Sequence, residues 1–208
     1  MVRRIKKVTK DRATRKRKKI IVLGAEGLNK TEFLYFRELE KKQSQYHFIF
    51  ALGNETDPVR IVKNTAKKAK DEALQYNQGD MAFSVFDLDV NETKYIQLET
   101  AKTNANKMNI GIITSNPCFE VWYLEHFGFS TKPFLNSNAV VKELEKKMPG
   151  YQKNRCDFDI LFPHTEAAIK NSEMLEKYHV GNNETYELAN PRTDVYKIVR
   201  ILMKGDDK

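Results

Sequence analysis

The chain is predicted to be α/β: a parallel sheet flanked by helices, with a helical C-terminal extension. Two observations predict this. Four apolar runs of strand length occur at 20–25, 47–52, 81–86 and 110–114, each stopped by turn or polar residues. The segments between them place apolar residues at helical spacing, and connections of that length imply parallel strands with right-handed crossovers. The expected product is a sheet covered by helices on both faces.

Each element follows in order. Ile20-Ile21-Val22-Leu23-Gly24-Ala25 is the first strand. A helix over 30–43 carries Phe33, Leu34, Phe36 and Leu39 on one face. His47 to Leu52 is the second strand. Asp57-Pro58 opens a helix, since proline in the first turn lacks only an N–H that would be unpaired anyway. Ile61, Val62, Ala66, Ala69 and Leu74 are its buried stripe. Met81-Ala82-Phe83-Ser84-Val85-Phe86 is the third strand, followed by a polar loop, a helix over about 93–107 and a fourth strand, Ile110 to Thr114. From Cys118 to His126, Phe119, Trp122, Tyr123 and Leu124 fall at helical spacing. Residues 136–147, 163–178 and 191–203 also read as helices, the last capped by Asn190 with Pro191 in its first turn. Strand signals are weak in this half. The expected division is a basic flexible tail at 1–19, an α/β core at 20–128 and a helical extension at 129–208 packed on the core.

At 208 residues with 40% hydrophobic content, the chain can bury a substantial core. No apolar stretch approaches the roughly 18 residues of a membrane span, and the N-terminus lacks the apolar segment of a secretory signal. Cys118 and Cys156 have no metal-like spacing and no disulfide framework, which fits a reducing cytoplasm. The net charge of +8 divides unevenly. Residues 1–19 hold eleven Lys or Arg against Asp11 alone; the other 189 residues hold 25 basic and 27 acidic side chains. The basicity therefore belongs to a tail. Such an arm suits a solvated terminus, salt-dependent phosphate binding or an acidic protein partner.

Acidic residues carry the chemistry. Glu26 ends the first strand, and Asp87 and Asp89 end the third. In open parallel sheets, sites form at the carboxyl ends of strands near a switch in strand order. Alternation is expected to turn Asp87 and Asp89 to one side and Leu88 away. Carboxylates gathered there repel one another and favour a hard cation, Mg²⁺ or Mn²⁺. Phosphodiester hydrolysis uses such an ion to activate water and neutralise charge on phosphate. Glu32, beside Thr31 as a helix cap, and Glu120, in the first turn after the fourth strand, extend the pattern; each is also explained by the helix dipole. Lys30, Arg37 and Asn116 are candidate substrate contacts. His126 is read as a packed histidine.

The residues Glu26-Gly27, Thr31-Glu32 and Val85-Phe86-Asp87-Leu88-Asp89 together resemble the Toprim fold. With Ser115-Asn116-Pro117-Cys118-Phe119-Glu120 through His126-Phe127, and Asn190-Pro191-Arg192-Thr193-Asp194-Val195, the chain resembles the RloB-like family of prokaryotic defence proteins over roughly residues 18–203. The resemblance implies a Toprim-like sheet and a Mg²⁺-dependent nuclease related to OLD-type enzymes. It implies Glu26 as metal ligand or acid/base, Asp87 and Asp89 as the metal pair, and Glu32 and Glu120 as additional acids. It also implies a nucleic-acid substrate, DNA or RNA, and a partner ATPase of AAA or ABC type (RloA-like). That fits a chain without a P-loop of its own. The loop Glu26 to Glu32 is one residue longer than the Glu-Gly-x-x-Thr-Glu spacing usual in such proteins. Self-association as a homo-oligomer stays open.

Two rival readings are a non-catalytic subunit that binds nucleic acid or the ATPase, and a primase-like phosphotransferase using the same acids. A haloacid-dehalogenase phosphatase is disfavoured: its Asp-x-Asp follows the first strand, and here the pair follows the third.

Overall fold

The computed structural model describes residues 17–27, 30–53, 55–155 and 157–203. The expectations for Cys156 and for the tail before Arg17 lie outside these residues. Strands β1 (Lys19–Ala25), β2 (Tyr46–Leu52), β3 (Met81–Asp87) and β4 (Gly111–Asn116) pair in parallel. A two-residue strand, β5 (Arg192–Thr193), adds to β4 antiparallel, giving the order β2-β1-β3-β4-β5. The order reverses direction between β1 and β3, the switch point at which open α/β sheets form a crevice.

Strand alternation divides the core into two layers. Ile21 and Leu23 of β1 join Phe48, Val85 and Ile113 on one face. They pack with Tyr35, Phe36 and Leu39 of α1 (Thr31–Lys41) and Trp122 and Tyr123 of α4 (Glu120–Glu125). Val22, Ala51 and Ala82 point to the opposite face, under α2 (Pro58–Asp71) and α3 (Glu92–Met108). The contact there is made of small residues, Ala69, Ala101 and Ala105, so the helices approach closely. Gly24 lets α2 come nearer still. A Cβ at that position would stand 1.8 Å from Thr65 Oγ1, the hydroxyl that donates to the Ile61 carbonyl and accepts from Ser84.

Asp57-Pro58 starts α2 as read from the sequence, and Asn91 starts α3. Asp57 accepts from the Arg60 N–H ahead of Pro58. Asn91 accepts from the Thr93 and Lys94 N–H groups at the start of α3. Helix ends lie within three residues of the expected spans, with α5 at Ser137–Lys147 and α7 at Thr165–Gly181 following a 3₁₀ turn at Phe162–His164. Among the described residues no helix is long and apolar enough to cross a membrane.

The segment 191–203 is corrected. It is not one helix: β5 comes first, and α8 (Val195–Met203) follows. The Thr193 hydroxyl meets that of Ser115 on β4 at 3.0 Å, and Asp194 N–H donates to the Thr114 carbonyl at 2.8 Å. Asn190 caps no helix. Its side chain exchanges two hydrogen bonds with the Phe134 backbone. A two-residue strand is too short to show alternation. Val195, Tyr196, Ile198, Val199 and Leu202 of α8 lie in the same core as Ile21 and Leu23, as do Leu144 of α5, Phe158 and Leu161 of α6 (Phe158–Leu161), and Ala168 of α7.

Arg17, read as part of the tail, is instead built into the fold. Its guanidinium binds Asp80 through two bonds of 2.9 and 2.7 Å, and Asp80 also accepts from the Ile20 and Gln75 backbone N–H groups. Burial opposes ionisation of Asp80, but Arg17 and the two N–H groups outweigh it and hold the carboxyl down to about 2. Its contribution to stability is therefore present above the ordinary carboxylate range and is lost as pH falls toward 2. Asp80→Ala is expected to lower unfolding free energy by about 1–2 kcal/mol at pH 7, the exposed side of Arg17 limiting the effect. Urea midpoints for variant and parent should converge at pH 2; a full difference persisting there would assign the loss to packing.

Candidate active site

Glu26 lies in the bend that leaves β1, and Asp87 is the last residue of β3. Asp89 follows in a loop where it and Val90 both adopt positive φ, 54° and 52°. This backbone is uncommon for any side chain and costly for a β-branched one. Leu88 turns away into a cluster with Ile61, Phe86 and Leu98, as alternation predicts. Glu32 stands in the first turn of α1 and Glu120 in the first turn of α4, both buried. Five carboxylates from four elements thus reach one rim beside the β1/β3 switch point.

Asp87 and Glu32 feel the charges of the others. Burial, reinforced by the charges of Glu32, Glu120, Glu26 and Asp89 in that order, pushes the Asp87 carboxyl well above the ordinary range. Burial raises Glu32 to about 7, with Glu26 and Glu120 adding and its own backbone N–H and Lys30 opposing. No side-chain donor among the described residues supports either carboxylate. Glu120 is held differently: one of its oxygens accepts from Thr31 at 2.9 Å and Tyr151 at 3.2 Å.

Three ammonium groups answer the five acids. Lys94, in the first turn of α3, lies 3.3 Å from Glu26 Oε1 and 2.7 Å from Asp89 Oδ2, and donates to the Asp87 carbonyl at 2.8 Å. Those two contacts through one nitrogen place the Glu26 and Asp89 oxygens no more than about 6 Å apart. Lys153 is 3.7 Å from Glu120, and Lys30 is 3.9 Å from Glu26. Five carboxylates thus face three ammonium groups. The donor set is entirely carboxylate, which suits a hard cation such as Mg²⁺ or Mn²⁺. Among the described residues, no group of three or more His, Cys, Asp or Glu is arranged as a ready metal site, so seating an ion requires side-chain rotation.

The structure brings together Glu26, Glu32, Asp87, Asp89, Glu120 and Lys30. Two proposed substrate contacts do not join them. Arg37 is exposed on the outer side of α1, its guanidinium 5.8 Å from the Phe33 ring centroid, with no contact to the five acids among the described residues. Asn116 is 1% exposed, and its amide donates to the carbonyls of Glu187 and Ala189. Asn116 is the last residue of β4, and its side chain is turned inward to fasten the segment that leads into β5. Thr31 does not cap α1; its hydroxyl goes to Glu120 instead. Sequence reasoning missed Lys94, although its place five residues after Asp89, in the first turn of a helix, was readable. Lys153 and Tyr151 arrive on a loop with no periodic signal. Cys118 is fully buried, its thiol pushed well above the usual range by burial and then by Glu120 and Asp87. His126 is packed, its Nδ1–H donating to the Trp122 carbonyl, and burial lowers it to about 4.

A largely parallel α/β sheet with acids at its switch point is consistent with a Toprim-like fold. The chain belongs to the RloB-like family: the family described as RloB-like protein matches residues 21–202. No curated protein matches it, and no solved structure does.

Proposed function

We propose that the chain is a metal-dependent nuclease of Toprim type, acting in the cytoplasm in antiphage defence under the control of a partner ATPase. The observation that supports this reading is the convergence of Glu26, Glu32, Asp87, Asp89 and Glu120 at one rim, five carboxylates that face three lysines. Asp87, Glu32 and Glu120, with Glu26 and Asp89, are the residues that would hold Mg²⁺ or Mn²⁺. The chemistry supplied by such an ion when bound is a more acidic water and neutralisation of a phosphodiester. Glu32 is placed to take or give a proton at its carboxylate. Lys30 and Lys153, with side chains 50% and 42% exposed, stand where a backbone phosphate of DNA or RNA would arrive.

The test is incubation of the full chain, alone and with the candidate ATPase, with single- and double-stranded DNA, messenger RNA and transfer RNA. Cleavage is expected with Mg²⁺ or Mn²⁺ and none with a chelator. A chain lacking residues 1–16, which keeps the Arg17–Asp80 pair, should still cut, with weaker dependence on salt. Inactivity on every substrate with the ATPase present, together with a melting temperature unmoved by either metal, would overturn the proposal. That outcome would favour a non-catalytic subunit, a reading supported by the ion pairs that Lys94 and Lys153 already make with three of the acids.

A further inference from the structure

Lys94 is placed with unusual completeness for a lysine. Its side chain is 13% exposed. An ammonium has three donors, and here each has an acceptor: Glu26 after β1, Asp89 after β3 and the Asp87 carbonyl between them. Its backbone is also fixed, since its N–H donates to the Asn91 side chain that caps α3. The nitrogen therefore joins the two strand ends that flank the switch point. The oxygens it takes from Glu26 and Asp89 belong to the same set that would bind a divalent ion. Asp87 gives Lys94 its carbonyl, and no described side chain donates to its carboxylate. Two cations cannot share the Glu26–Asp89 gap at these distances without strong repulsion. A four-carbon stem can carry the ammonium out to solvent without moving the helix.

We propose that Lys94 is a placeholder cation: its ammonium holds Glu26 and Asp89 together and leaves that gap when a divalent ion enters it. This rests on the metal-dependent reading above. It makes Lys94 a positioning residue and a competitor of the ion, so its charge lowers metal affinity while preserving the shape of the rim.

The experiment uses the full chain and Lys94→Met, which keeps the length of the side chain and removes its charge. Calorimetric titration with Mn²⁺ is expected to show binding about tenfold or more tighter in the variant. The metal-free variant should also melt at a lower temperature, with a larger rise on adding Mn²⁺. A lysine that merely braces the fold would give equal or weaker affinity when removed, and that result would overturn the proposal. Equal Mn²⁺ binding by both proteins removes this inference and leaves the metal reading standing; no binding by either removes both. Should Lys94→Met fail to fold, amine-reactive labelling of the unaltered chain decides. Lys94 should be protected without metal and labelled with Mn²⁺ present, and unchanged labelling would overturn the proposal.

Discussion

Asp87→Asn is expected to remove metal-dependent cleavage, by about 10²–10³-fold or more, while making the metal-free protein more stable. The two effects have one cause. Asp87 is half-buried among four other carboxylates, and desolvation and their charges hold its proton more tightly in the folded chain than in the unfolded one. For such an acid the folded state binds more protons, so stability is greatest below the ordinary carboxylate range and declines as pH rises through it toward the folded value. Asparagine keeps the shape and removes the charge. The gain should be on the order of 1–3 kcal/mol at pH 8 and should vanish near pH 4. Urea unfolding of both proteins at pH 4, 6 and 8 measures it. A variant less stable than the parent at pH 8 would show that Asp87 is not under repulsion. A variant that cuts at the parental rate would remove it from the chemistry.

Tyr35→Ala should produce the largest loss of stability, about 3–5 kcal/mol. The ring is fully buried and lies with centroids 5.4–6.1 Å from Phe36, Phe119, Trp122, Tyr123 and Phe158. It fastens α1 to α4, and those helices carry Glu32 and Glu120 into the rim. Near-UV circular dichroism should report the loosened aromatic cluster alongside the denaturation midpoint. Arg37→Ala, two residues along the same helix on its exposed side, is the control, expected within about 0.5 kcal/mol of the parent. A loss below about 1.5 kcal/mol for Tyr35→Ala would mean that the neighbouring rings close over the space.

The legible parts of this chain were those with a repeating signal. Four parallel strands and the three helices between them were readable because apolar residues recur at fixed spacing over many positions, and Asp57-Pro58 and polar turns punctuate them. Glu26, Asp87 and Asp89 were readable because charge at the end of an apolar run stands out. What was lost was short or non-periodic. β5 has two residues, so its pairing to β4 left no pattern. Arg17 sat inside a run of basic residues, and its commitment to Asp80, sixty-three positions away, is a tertiary fact. Asn116 has the same polarity as a substrate ligand and differs from one only in being turned inward. Lys94 was hidden by the opposite assumption, that lysines on a helix face water.

The placement of β5 and α8 has a consequence for when activity can arise. A chain is made from its N-terminus, yet residues 192–203 supply the edge strand beside β4 and five side chains of the apolar layer that also holds Ile21, Leu23 and Ile113. While that segment is still in the ribosome, β4 lacks its edge partner and the core lacks Val195, Tyr196, Ile198, Val199 and Leu202. Nascent and prematurely released products would then carry all five acids on an incomplete core, so a cell would be spared the chemistry of an unfinished molecule.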